Sequence, residues 1–290
     1  MKLIILTFTT LLTFTGCFDA EQKPAALEIK KIATGFKFTE GPAYGSDGKL
    51  YFSDIPKNRI HTWSPEEGTK VFLEPSGKSN GLYFDSAGRL LLCQTGERQL
   101  SRLEKDGSLT VLADQYEGNR FNKTNDLWIH PNGMIYFTDP CYGKRDQMEM
   151  EIEGVYLLNP ATKKVSRLID DMVRPNGIIG TRDGKYLYVA DHGGHKTCKF
   201  PILQDGNIGP AIWTIERGSD GMTLDEYGNL YLTDGTVAIY SSEGELISEI
   251  KLEEKPANVV FGGPENRTLW VTARTSIYAL KMNVAGMYKP

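Results

Sequence analysis

The chain has 290 residues, 40% of them hydrophobic and 24% charged, with 30 glycines, which is enough for one large domain or two small ones. That composition excludes disorder, collagen and a multi-pass membrane protein. Thirty-three Lys and Arg against 37 Asp and Glu leave a net charge of −4, without the basic excess of a phosphate-binding surface, so no nucleic acid is expected as a partner.

The first element is a targeting segment. Lys2, the uncharged stretch from Leu3 to Phe14, and then Thr15, Gly16 and Cys17 read as a basic start, a short apolar run and a small-residue cleavage site. The run is too short to span a bilayer as a mature helix. Its ending resembles the bacterial lipoprotein signal, which implies removal of residues 1–16 and lipidation of Cys17; an ordinary signal peptide cut nearby is the alternative. Residues 17–26 then read as a tether, and residues 27–290 as one domain. The expected location is the cell envelope, lipid-anchored on the periplasmic side or the outer surface, and otherwise secreted or periplasmic. Beyond Cys17 the cysteines are Cys93, Cys141 and Cys198, an odd, irregularly spaced set that makes no disulfide framework and no C-x-x-C zinc site.

A strand-like run, Leu27 to Ile32, comes next, and then the chain repeats. Turn glycines followed by apolar, aromatic-rich runs fall at Gly48, Gly88, Gly133, Gly184 and Gly228, at intervals of 40, 45, 51 and 44 residues, and Asn266-Arg267 begins a sixth copy. This is the period of propeller blades. Asp-Gly and Asn-Gly between apolar runs make hairpin turns, so each unit starts with two paired strands. Two more strand-like runs follow in the first five units, for example Arg59 to Trp63 with Thr69 to Phe72. The sixth offers three, near Ala257 to Phe261, Leu269 to Thr272 and Ser276 to Leu280. The expected fold is all-β, a six-bladed β-propeller with four-stranded blades, its ring closed by the N-terminal strand. Trp63, Trp128, Trp213 and Trp270 lie inside strand runs and are expected in the packing between blades.

A polar residue keeps register with the turns. Glu40, Asn80, Asn125, Asn176 and Asp220 each stand eight residues before a turn glycine, and Asn258 stands nine before Arg267. The first strand of a blade is innermost, so these side chains converge on one mouth of the central channel. Carboxylates and amide oxygens there form a hard donor set suited to a cation such as Ca²⁺. Six blades make a ring too wide for all six to be ligands. The second strand returns to the same mouth and brings Asp54, Thr95, Asp139, Asp191, His192 and Asp234 near it. The loop of Pro140, Cys141, Tyr142 and Gly143 and the loop from Glu117 to Lys123 are expected to wall a pocket.

These residues resemble the gluconolactonase/regucalcin (senescence-marker-protein) family of six-bladed propellers from Thr39 to Met287. The resemblance rests on Glu40-Gly41-Pro42, Ser79-Asn80-Gly81-Leu82, Arg120-Phe121-Asn122 followed by Asn125-Asp126-Leu127, Phe137-Thr138-Asp139-Pro140, Arg174-Pro175-Asn176-Gly177, Ser219-Asp220-Gly221-Met222 and Thr272-Ala273-Arg274-Thr275-Ser276. It implies Glu40, Asn125, Asn176 and Asp220 as ligands of one divalent cation, Ca²⁺ first and Zn²⁺, Mn²⁺ or Mg²⁺ as alternatives. It also implies hydrolysis of a sugar lactone, with Arg120 and Asn122 where the family contacts that substrate; Tyr142 and His192 join them as substrate-binding candidates at the mouth. Thr95 departs from the pattern, since many bacterial relatives carry His there.

In the chemistry so implied, the cation polarises the ring-ester carbonyl and Asp220 orients the attacking water or takes its proton. The expected partner is a small sugar lactone, with membrane contact through the lipid anchor only and the propeller a monomer. The rival reading is a non-enzymatic propeller, stabilised by Ca²⁺, that docks a protein or glycan. Gly77-Lys78-Ser79-Asn80-Gly81 matches G-x-S-x-G, but a nucleophile elbow needs a helix after it and here a strand follows.

Overall fold

The computed structural model describes residues 23–289, so residues 1–16 and Cys17 lie outside the described part. Six four-stranded antiparallel sheets form the six blades. Their innermost strands are Thr39–Tyr44, Ser79–Phe84, Leu127–Ile129, Pro175–Gly180, Met222–Leu224 and Asn258–Gly262. Burial falls outward along each sheet: in the first blade Leu50–Asp54 is wholly buried and Gly68–Leu73 largely exposed. Such a gradient follows from aligning long apolar runs at the centre and alternating ones at the rim.

The sixth sheet is ordered Ala26–Thr34, Ser276–Met282, Thr268–Ala273 and Asn258–Gly262, so the N-terminal strand supplies the outermost strand of the last blade, as expected. Ile29 stands opposite Leu280 and Lys30 opposite Ala279. Closure in this way covers the strand Ser276–Met282, which would otherwise be a bare, mostly apolar edge.

The blade turns are where glycine is required. All five turn glycines have positive φ, from 72° at Gly184 to 88° at Gly133. In the sixth unit Glu265 and Asn266 take φ of 56° and 57° and do the same work without glycine. An aspartate pins the second turn, where Asp85 Oδ1 accepts the N–H groups of Ala87 and Arg89 at 2.9 Å each.

Between the blades the aromatic residues pack as expected. Trp63 and Trp270 lie 5.3 Å apart across the closing seam. Trp128 is fully buried, and Trp213 Nε1 donates to the Ser242 carbonyl at 3.1 Å across the fourth and fifth blades.

Two features differ from the sequence reading. The stretch expected as a loop from Glu117 to Lys123 begins as a small hairpin, Gln115–Tyr116 with Asn119–Arg120, because Glu117 and Gly118 supply two consecutive positive φ angles of 50° and 86°. The last residues also cross the far mouth of the channel: Gly286 N bonds Asn266 O at 2.8 Å, Met287 N bonds Leu224 O at 2.9 Å, and the Tyr288 hydroxyl accepts from Trp128 Nε1 at 3.0 Å.

Candidate active site

The ring begins with backbone geometry. Pairing of the first two strands slips just after the ring residue in three blades, between Glu40 and Ala43, Ser79 and Leu82, and Pro175 and Ile178. These bulges turn the start of each inner strand toward the channel. Four of the residues that follow are glycines, and each lies against the next blade. A Cβ on Gly41 would stand 2.0 Å from Asn80 O, one on Gly81 2.7 Å from Asn125 O, one on Gly177 3.0 Å from Asp220 O, and one on Gly221 1.9 Å from Asn258 Cγ. The glycines thus let successive ring residues approach around the mouth.

Hydroxyls on the second strands tie the ring together. Ser53 Oγ donates to Asn80 O at 2.8 Å, Thr138 Oγ1 to Asn176 O at 2.8 Å, and Thr233 Oγ1 to Ala257 O at 2.6 Å. Thr95 Oγ1 donates to Thr124 O at 2.8 Å, one residue before Asn125. Each bond runs from one blade to the segment carrying the next ring residue, so blade order fixes side-chain position.

The aspartates at the ends of the second strands hold the incoming loops. Asp139 accepts the N–H groups of Asn122 and Lys123 at 2.7 Å each, Asp54 those of Lys37 and Phe38 at 3.1 and 3.2 Å, and Asp191 that of Arg174 at 3.0 Å. Burial pushes the Asp139 carboxyl up to about 7 despite those two bonds.

At the mouth Glu40, Asn125 and Asn176 are buried, and Asp220 is partly buried. Asn176 Nδ2 lies 2.7 Å from Asp220 Oδ1 and 2.6 Å from the Tyr142 hydroxyl. Burial and the charge of Asp220 hold Glu40 well above the usual carboxylate range, while the Gly41 N–H, bonded at 2.9 Å, pulls it back. Asp220 is raised by its burial, against the lowering charge of His192, the Asn176 bond, and the charges of Lys255 and Arg274. Among the described residues no Lys or Arg forms an ion pair with either acid. No three His, Cys, Asp or Glu side chains gather among the described residues as a metal set; the four predicted ligands are two carboxylates and two amides. Two acids close enough for the charge of Asp220 to raise Glu40, with no Lys or Arg paired to either among the described residues, fit a hard divalent cation, with the amides as neutral oxygen donors.

The four substrate-binding candidates separate into two pairs. Tyr142 is bonded to the ring through Asn176, and its ring centroid lies 6.4 Å from that of His192. Burial raises the Tyr142 hydroxyl, which stays protonated. Arg120 is exposed in the small hairpin, where its guanidinium donates to Glu97 O at 2.7 Å, and it forms no hydrogen bond to the four ring residues. Asn122 is buried, with Nδ2 on Ile152 O at 3.0 Å and Oδ1 without a partner. Ser79 Oγ donates to Ser76 O at 2.6 Å inside a strand, with no base beside it. Cys141 is buried at the loop that carries Tyr142.

Sequence reasoning missed Asp126. It occupies the position after a ring residue where four other blades carry glycine, and that register is the signal that marks it. Its carboxyl is buried, pushed by that burial up to about 7, and lines a cavity of about 970 Å³ that runs from beneath the ring, past Asn258 and Met222, to Tyr288 at the far mouth.

A six-bladed propeller with acids and amides gathered at one channel mouth defines the class. The family model "SMP-30/Gluconolactonase/LRE-like region" matches residues 38–275. A gluconolactonase of Zymomonas mobilis is 28% identical over 293 residues, covering 89% of this chain and 82% of its own. Among solved structures, a gluconolactonase of Xanthomonas campestris superposes with a TM-score of 0.79 at 25% identity, covering 90% of this chain and 95% of its own. Regucalcin of Agrobacterium tumefaciens, a calcium-binding protein, shares the fold with a TM-score of 0.75 at 24% identity, covering 90% of this chain and 95% of its own. The chain belongs to the SMP-30/gluconolactonase/LRE-like family, and it is an enzyme, a hydrolase of the lactonase kind.

Proposed function

We propose that Glu40, Asn125, Asn176 and Asp220 hold one divalent cation, Ca²⁺ first, and that the site opens a sugar lactone with Asp220 as its base. The observation that carries this reading is the gathering of two acids and two amides at one mouth, with Glu40 buried and the partly buried Asp220 joined to the Tyr142 wall through the Asn176 amide. The names of the relatives in Zymomonas mobilis and Xanthomonas campestris support the same substrate class.

When bound, the cation supplies Lewis acidity toward the lactone carbonyl. Asp220 takes a proton from water as the water oxygen adds to the carbonyl carbon. The ring C–O bond then breaks, and the proton passes to the departing alkoxide, leaving an open-chain hydroxy acid. Asn176 fixes the Asp220 carboxylate, and the protonated Tyr142 hydroxyl fixes Asn176. A carboxylate that also holds a divalent cation has a lowered proton affinity, so it is the fixed position of Asp220 beside the water that suits it to this role.

The test is hydrolysis by the chain from residue 18, followed with a pH indicator over aldonolactones and open-chain esters. Turnover confined to lactones supports the reading, and turnover of open-chain esters alone overturns it. The same proposal has Cys17 lipidated and the monomeric chain at the cell envelope. Fractionation that finds the mature chain in the cytosol contradicts that part.

A further inference from the structure

The mouth carries a cationic side chain, Arg174, that has no acidic partner among the described residues. Arg174 Nε is buried and has no partner, and its guanidinium forms no hydrogen bond or ion pair among the described residues. It lies over the Tyr142 ring, 5.7 Å from the centroid. Three other partly buried arginines are paired, Arg98 with Glu149 at 2.9 Å, Arg102 with Glu104 at 2.7 Å, and Arg217 with Glu249 at 2.5 Å, whereas Arg167 lies over the Tyr116 ring without an ion pair, away from the ring residues. A buried guanidinium N–H without an acceptor is costly, and the rigid fork that carries it matches carboxylate, phosphate and sulfonate groups.

Arg174 is also close to the chemistry. The Tyr142 ring beneath it carries the hydroxyl on Asn176, which in turn bonds Asp220. His192, whose backbone N–H donates to Arg174 O at 3.0 Å, has a buried Nδ1 without a partner on the same side of the mouth. Across the ring, Arg274 accepts the Thr39 N–H on its carbonyl at 2.8 Å, beside Glu40, and forms no ion pair among the described residues. In a chain of net charge −4, Arg174 thus stands at this mouth without an ion-pair partner among the described residues. If Glu40 and Asp220 serve a divalent cation, as proposed above, neither is left to balance Arg174.

We infer that the lactone taken by this site bears an anionic group away from its ester, and that Arg174, seated on Tyr142, binds that group. The inference rests on the lactonase reading. Arg174 is a substrate-binding residue in it, and the reaction at the carbonyl is unchanged.

The experiment compares kcat/KM for a neutral aldonolactone and for the same lactone with a terminal phosphate, sulfonate or carboxylate, in the wild type, Arg174→Met and Arg174→Lys. One charge-assisted contact corresponds to about a tenfold to hundredfold preference. The wild type is expected to favour one anionic lactone at least tenfold, and the three arms identify which. Arg174→Met is expected to lower kcat/KM for the preferred anionic lactone at least tenfold more than for the neutral one, and Arg174→Lys to keep part of the preference. Equal use of neutral and anionic lactones by the wild type overturns the inference, as does an equal loss on both in Arg174→Met. Calorimetry with the open-chain neutral and anionic sugar acids separates the two readings. Arg174-dependent binding of the anionic acid without turnover of any lactone overturns the lactonase reading and keeps the anion site. No difference in binding between the two acids overturns the anion site.

Discussion

Asn176 Nδ2 stands 2.7 Å from Asp220 Oδ1 and 2.6 Å from the Tyr142 hydroxyl, so one amide joins an acid of the fifth blade to the loop between the second and third strands of the third. The two residues arrive by the same route: each lies at the entry of an inner strand, and each is carried by a segment bonded to a threonine hydroxyl from a neighbouring strand. Removing the base and removing its support should therefore differ in size. Asp220→Asn should lower kcat by about a thousandfold, while Tyr142→Phe, which removes one neutral hydrogen bond, should lower kcat/KM by about fivefold. Both variants should melt within a few degrees of the wild type. Unchanged turnover in Asp220→Asn would remove Asp220 from the mechanism.

The ring glycines predict a stability effect at the site. A Cβ on Gly41 would lie 2.0 Å from Asn80 O, where φ is +50°, and neither backbone has a flexible side chain to yield. Gly41→Ala should destabilise the propeller by about 3 kcal/mol, the upper range for overpacking. Gly48→Ala, with open space around it, should cost only its φ strain, about 1 kcal/mol. Denaturant melts of the two variants should keep this order.

Closure by the N-terminal strand predicts a sharp boundary. A chain beginning at residue 35 lacks Ala26–Thr34 and exposes the strand Ser276–Met282 as an edge. It should aggregate or lose its cooperative melt, whereas a chain beginning at residue 23 should melt like the full mature protein. Equal melting of the two would show that the sixth blade closes without its fourth strand.

Asp139 predicts how stability depends on pH. Its folded value of about 7 lies above the ordinary carboxylate value of 3.8, so the folded chain holds a proton that the unfolded chain has released between those values. Stability from this group is complete below about 4 and is lost as pH rises to about 7. Asp139→Asn, which stays neutral and keeps an acceptor for one of the two N–H groups, should flatten that slope in melts from pH 4 to 8. A slope the same as in the wild type would assign it to other groups.

Much of this was legible in the sequence because the fold repeats. Turn glycines set the blade period, and counting back from them reaches six register positions, of which the family resemblance selects Glu40, Asn125, Asn176 and Asp220. Closure was legible too, since the sixth unit was one strand short and Leu27 to Ile32 was spare. What stayed hidden depends on contacts between distant segments. The tail that bonds Tyr288 to Trp128 has no periodic pattern, and the lack of a partner for Arg174 is visible only once every nearby carboxylate has been placed. The hairpin at Glu117-Gly118 was hidden for a local reason, because glutamate at positive φ leaves no mark in composition.

The central claim is that hydrolysis depends on a divalent cation held at the ring. The most direct measurement is lactone turnover by the mature chain before chelation, after EDTA, and after Ca²⁺ is restored, beside Glu40→Gln treated in the same way. The account predicts loss of activity with EDTA, recovery with Ca²⁺, and a higher Ca²⁺ requirement in Glu40→Gln. Full turnover in EDTA, by a chain shown to be free of metal, would contradict it.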